Sequence, residues 1–258
     1  MREIREGRLA VSLKININHA NVIELAGLAG ASAVWICNEH VPSDWSQMEH
    51  CIRAAKIHDM DVIVRVSKGS YSEYVKPFEA DAAAIMVPHV ASGAEARQIV
   101  DMCRFYPLGR RALDGGNVDG AFCQTPMSEY LAASNREKFL ILQIESPEAI
   151  EVIDEIAAVP GFDFLLFGPG DYSHRIGHAG DIGHPDVLTA RRKVEEAARN
   201  HGKHLFGVAA GGTPQEMLDR GYTISHVGSD VWALGEAFRK AVEGNATSPT
   251  GSSPYQKP

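Results

Sequence analysis

Residues 139–171 read FLILQIESPEAIEVIDEIAAVPGFDFLLFGPGD, and this stretch decides the architecture. Phe139–Ile144 is an apolar run with β character that stops at Glu145. Pro147–Ala158 carries a helical pattern, and Phe162–Phe167 is a second apolar run, followed by Gly168 and Asp171. Strand, helix, strand is the pattern of a βαβ unit, whose parallel strands are buried on both faces. In such units the functional side chains collect at the strands' carboxyl ends. Glu145 and Asp171, one past each strand, are therefore candidates to converge. Two carboxylates can hold one hard cation and leave positions open for a substrate that chelates through oxygen.

The same rhythm extends outward in both directions. Further strands are predicted at Leu9–Leu13, Ala33–Cys37, Asp61–Val66, Ala83–Val87, His204–Val208 and Thr223–Val227. Helical patterns cover Asn18–Leu28, Asp44–His58, Tyr71–Glu79, Gly93–Phe105, Met127–Phe139, Pro185–Asn200, Pro214–Arg220 and Asp230–Val242. Eight strands with nearly one helix after each predict an α/β chain folded as a single (β/α)8 TIM barrel over residues 1–243. A doubly wound open sheet fits less well, because no glycine-rich dinucleotide fingerprint follows the first strand. The run from Tyr106 to Asn117 is too rich in turn formers to be an element and reads as a lid or binding loop. Gly244–Pro258 has almost nothing apolar to bury and reads as a mobile tail.

Composition narrows the function. At 258 residues and 45% hydrophobic the chain can bury one large core. A net charge of −8 with no basic block argues against a nucleic-acid partner. No apolar run approaches the ~20 residues of a membrane span, and Met1-Arg2-Glu3-Ile4-Arg5 is not followed by a leader core, so a cytoplasmic protein with no membrane contact is expected. Cys37, Cys51, Cys103 and Cys123 lack paired metal spacing and read as free thiols.

Several motifs together resemble the HpcH/HpaI aldolase/citrate lyase family of class II, metal-dependent pyruvate aldolases. They are Gln143-Ile144-Glu145, Gly168-Pro169-Gly170-Asp171-Tyr172-Ser173, Gly177-His178 and Gly183-His184-Pro185-Asp186-Val187. Glu39-His40, Arg65 at the end of the third strand and Val87-Pro88 at the end of the fourth add to the match. The resemblance implies retro-aldol cleavage or aldol addition of a 4-hydroxy-2-oxo acid, giving pyruvate and an aldehyde. It also implies a homo-oligomer, a hexamer or trimer, whose C-terminal helix packs on a neighbouring subunit. Residue by residue it makes Glu145 and Asp171 ligands of Mg2+, Mn2+ or Co2+. Gln143, Gly170 and Asp171 would meet the substrate, Arg65 would face the developing enolate, His40 would be the base, and Glu79 would support a neighbouring subunit's histidine.

The chemistry asks for these residue types. Cleavage beta to a ketone leaves an enolate, and a divalent cation on the pyruvyl oxygens stabilises it as a Lewis acid. Oxygen ligands favour magnesium, manganese or cobalt over zinc. A guanidinium at Arg65 adds fixed positive charge, and a histidine titrates near neutrality. Departures from the family concern the substrate more than the metal. The family's I-D-G-E-H is here Ile36-Cys37-Asn38-Glu39-His40, so a thiol stands where a permanent negative charge would orient the histidine. Arg110 and Arg111 sit in an altered loop, where they would either clamp an acidic acceptor or lie solvated. Lys14, at the end of the first strand, offers a Schiff-base route without metal. Oxaloacetate-type decarboxylation and an oxo-acid-binding barrel without turnover are further alternatives. His178 and His184 fit no zinc spacing and are expected to order a loop and cap a helix.

Overall fold

The computed structural model describes residues 2–245. Eight strands pair in parallel with their sequence neighbours, and the last closes on the first. They are β1 (Ala10–Ile15), β2 (Ala33–Cys37), β3 (Asp61–Arg65), β4 (Ala84–Val87), β5 (Phe139–Ile144), β6 (Phe164–Phe167), β7 (His204–Val208) and β8 (Tyr222–Ser229). Around them lie α1 (Arg2–Arg5), α2 (Ala20–Leu28), α3 (Trp45–Ile57), α4 (Tyr71–Glu79), α5 (Gly93–Cys103), α6 (Met127–Glu137), α7 (Pro147–Glu151), α8 (Ile153–Ala157), α9 (Pro169–Arg175), α10 (Pro185–Asn200), α11 (Pro214–Asp219) and α12 (Asp230–Glu243). This is the (β/α)8 barrel expected from the alternation.

Side chains alternate across each strand, so one set fills the barrel and the other packs on the helices. The interior set is Ala10, Ala33, Trp35, Ile63, Ala84, Met86, Ile141, Phe164, Leu166, Phe206 and Ile224. Val34, Ile36, Val62, Val64, Ile85, Leu140, Leu142 and Leu165 face outward into the larger layer beneath the helices. Continuing the inward period by one more step reaches Lys14, Cys37, Arg65 and Gln143 at the carboxyl ends. The lumen therefore changes from apolar to charged in a single layer.

Four local features have identifiable causes. β1 runs on to Ile15, because it pairs with β2 as far as Ile36, and this puts Lys14 inside the strand. The helix over 147–158 breaks at Val152, whose backbone leaves helical values (φ −116°, ψ 23°). Gly168-Pro169-Gly170-Asp171 is not a plain turn: Pro169 takes the first position of α9 and Asp171 its first turn, both favoured there. The irregular connection contains a 3-10 turn over Val118–Cys123. Of the tail expected over 244–258, residues 246–258 lie outside the described residues. The cysteines are unpaired, Cys123 exposed and the other three buried. Among the described residues no helix is long and apolar enough to cross a membrane.

Candidate active site

Glu145 leaves β5 directly into the barrel mouth. Capping of α7 falls to Ser146, whose hydroxyl accepts from the Ala149 N–H at 3.3 Å, so the Glu145 carboxylate is not used as a helix cap. That carboxylate is fully buried. Its Oε1 accepts the His89 backbone N–H at 2.8 Å and lies 2.7 Å from His89 Nδ1. Its Oε2 accepts from the Gln143 amide. His89 has a left-handed backbone (φ 55°), which turns its N–H toward the carboxylate just past β4. Gly168 closes the other side: a Cβ there would stand 2.8 Å from Glu145 Oε2, so the chain after β6 approaches this closely only as glycine. Burial raises the Glu145 pKa above the usual carboxylate range; the Gln143 and His89 contacts oppose the rise, and the charge of Asp171 adds to it. Asp171 itself is exposed, in the first turn of α9. Gly170 beside it has open space where a side chain would be.

The opposing wall carries Arg65. Its Nε lies 3.0 Å from Glu39 Oε2, its Nη2 donates to Cys37 Sγ at 3.0 Å, and its guanidinium sits 4.8 Å from the centre of the Trp35 ring. Glu39 Oε1 is 3.1 Å from His89 Nε2. One imidazole thus bridges the two carboxylates, Glu39 and Glu145. Lys14 Nζ stands 5.3 Å from the same Trp35 ring. Burial, then the neighbouring Arg65, lowers the Lys14 pKa from its ordinary 10.5. His40 is on the rim, its side chain 63% exposed and 3.4 Å from Glu39.

The structure thus gathers Arg65, Gln143, Glu145 and Asp171 at one end of the barrel, with His40 at its edge. Glu79 is elsewhere. It ends α4 at the opposite face and lies 3.8 Å from Arg111, with burial raising its pKa. Arg111 is fixed in that cluster, donating to Asp119 at 3.1 Å and to the Tyr130 hydroxyl at 3.2 Å over the Phe105 ring. It secures the 106–126 connection and is not available to clamp a substrate; Arg110 is exposed. His178 and His184 stack at 3.7 Å, and His184 caps α10 by accepting from the Asp186 N–H, the ordering role expected of them. Sequence reasoning missed His89. Its position one past Val87-Pro88, at a strand's carboxyl end, was the available signal.

The donors suit a hard divalent cation. They are carboxylate oxygens, joined by the buried Gln143 Oε1, which has no donor. Among the described residues no three His, Cys, Asp or Glu side chains converge on a single point, so an ion held by Glu145 and Asp171 would keep positions for substrate.

Comparison with known proteins adds independent findings. The family model described as HpcH/HpaI aldolase/citrate lyase matches residues 12–237. A 2-keto-3-deoxy-L-rhamnonate aldolase of Escherichia coli O17:K52:H18 (strain UMN026) is 28% identical over 239 residues, 91% of this chain and 88% of that protein. The crystal structure of an HpcH/HpaI aldolase from Desulfitobacterium hafniense DCB-2 superposes with a TM-score of 0.86 at 27% identity, covering 98% of both chains. A family protein from Burkholderia cenocepacia J2315 gives 0.81 at 29% identity, covering 92% of this chain and 95% of that one.

Proposed function

This chain belongs to the HpcH/HpaI aldolase/citrate lyase family, and from that premise we propose that it is a carbon–carbon lyase that cleaves a 4-hydroxy-2-oxo acid to pyruvate and an aldehyde, and joins them in reverse. The observation that carries the reading is Glu145: a carboxylate fully buried at the barrel mouth, held by Gln143 and His89 and facing the charge of a second carboxylate, Asp171. Such a pair is costly to keep ionised unless a cation neutralises it. Glu145 and Asp171 would hold Mg2+, Mn2+ or Co2+, which when bound supplies Lewis-acid polarisation of the 2-oxo group.

This chain's own groups do the rest. Gln143 and the open backbone at Gly170 orient the 2-oxo carboxylate. Arg65, held between Glu39, Cys37 and Trp35, presents fixed positive charge where the enolate oxygen develops. His89 fixes the orientation of Glu145 and Glu39. His40 takes the proton of the 4-hydroxyl, directly or through water, with the Glu39 carboxylate beside it and Cys37 at the family's aspartate position. Glu79 acts on His40 of the partner subunit in a homo-oligomer, a hexamer or trimer, in which α12 packs on a neighbour. The compartment we propose is the cytoplasm.

Proton exchange from pyruvate into deuterated water is the direct test. Exchange that depends on a divalent ion and is lost reversibly in chelator supports the lyase; its absence with every ion tried means a barrel that binds oxo acids without enolising them. A panel of 4-hydroxy-2-oxo acids assayed for pyruvate release then identifies the aldehyde.

A further inference from the structure

We propose that the face of the barrel opposite the mouth carries a second binding site, and that its ligand is a small zwitterion, an α-amino acid. The site is a cavity of about 610 Å³ at the amino ends of β3, β4 and β5, bordered by α1, α3, α6 and the 3-10 turn. Cavities of this size take metabolite-sized ligands, whereas a single bridging water fills about 30 Å³. The chemistry of a barrel resides at the other, carboxyl face, so this ligand is not a substrate.

The floor of this cavity has two charged ends of opposite sign. At one, two ammoniums share a single carboxylate: Asp81 accepts from Lys56 on Oδ2 and from Lys138 on Oδ1. One positive charge is therefore in excess. Lys138 also donates to the Ala82 carbonyl at 3.0 Å, whereas Lys56 has three donors and makes one bond among the described residues. At the other end two carboxylates face a single guanidinium, Asp119 lying 3.1 Å and Glu79 3.8 Å from Arg111. With Glu79 ionised, one negative charge is in excess there. The Asp119 side chain is wholly buried, and its Oδ2 accepts from Arg111 and from the Tyr130 hydroxyl at 2.7 Å. Its Oδ1 has no hydrogen-bond partner among the described residues.

A buried carboxylate oxygen without a donor costs free energy, and so does an ammonium withdrawn from water without its own counter-charge. Burial lowers the pKa of both lysines, Lys138 to about 8, and the charge of Asp119 opposes the fall in each. The two ends of the floor thus lie within each other's field. A lone cation at Asp119 is repelled by the ammoniums, and a lone anion at Lys56 is repelled by Asp119. A molecule with both charges a few atoms apart answers both ends: its ammonium gives Asp119 Oδ1 the missing donor, and its carboxylate takes the free N–H groups of Lys56. The rim pairs Arg2–Asp59 and Arg5–Glu137 are already matched and lie in solvent, so selection falls to the floor.

Thermal unfolding of the full chain with each proteinogenic α-amino acid in turn, then calorimetric titration of the one that stabilises most, tests this. Propionate and propylamine, each carrying one of the two charges, are the controls. At least one amino acid should bind saturably with a Kd below about 1 mM, and both controls at least about tenfold more weakly, the scale of one charge-assisted hydrogen bond. The Lys56 side chain is 45% exposed, so its replacement spares the core. Lys56→Met should weaken amino-acid binding by about tenfold or more, and Lys56→Arg should retain most of it. No saturable binding of any amino acid, equal binding of propionate or propylamine, or an affinity unchanged in Lys56→Met would overturn the proposal.

Discussion

Glu145 takes hydrogen bonds on both oxygens, and each comes from a different strand end: Gln143 on β5 and His89 after β4. Glu145→Gln or Asp171→Asn should therefore abolish ion-dependent pyruvate exchange and weaken Mn2+ binding, measured calorimetrically, while circular dichroism stays native; unchanged exchange in either would defeat the assignment. His89→Ala removes the imidazole that orients the ligand but keeps the backbone bond. Loss of such an outer partner typically costs about 10–100-fold in metal affinity, and that is the change expected. Arg65→Ala should reduce kcat by about 10²–10³ with a smaller change in pyruvate affinity, as for a lost oxyanion donor. At this scale the sequence revealed residue types at strand ends but not their mutual contacts. Glu145 and Asp171 were legible because each ends an apolar run. His89 was not, since a histidine after Val-Pro carries no periodicity and its role depends on Glu39 and Glu145, residues 50 and 56 positions away.

Among the longer helices, α12 is the one its own chain leaves uncovered. None of its residues is buried, and Trp232 and Phe238 are 68% and 65% exposed. Its helical pattern was plain in the sequence, but periodicity reports that a helix has an apolar face and not what covers it. If a second copy covers this one, Trp232→Asp with Phe238→Asp should lower the molecular mass seen by sedimentation, and an unchanged mass would exclude α12 from the interface. β1 and α9 show the opposite limit. Pairing with β2 extends β1 past its apolar run to Ile15, and a proline at the first helical position starts α9, an element absent from the predicted helices. Both outcomes depend on partners or caps that local composition only hints at.

For the whole molecule, alternation of short apolar runs with amphipathic ones was sufficient to identify a closed barrel, because parallel strands need covered faces and crossover helices. The switch from apolar to charged in the last inward layer was hidden until the inward side of each strand was known. That layer has a cost in acid. His226, half-buried in β8 with Lys14 nearby, has its pKa lowered from 6.5 to about 4, chiefly by desolvation. Between pH 6.5 and 4 the unfolded chain binds a proton that the native barrel refuses, so stability falls as pH falls through this window, by on the order of 3 kcal/mol in total. His226→Gln should lose less stability than the wild type between pH 7 and 4.5 in urea unfolding; parallel losses would show that other groups dominate.

Trp35 joins these scales, since two cations rest on its ring and it is 5% exposed, whereas Trp232 is largely open to solvent. The indole is thus a built-in optical reporter. With the half-buried Trp45 replaced by phenylalanine, its short-wavelength emission should shift when an anion arrives beside Arg65, so occupancy of the mouth can be followed in real time with no added dye.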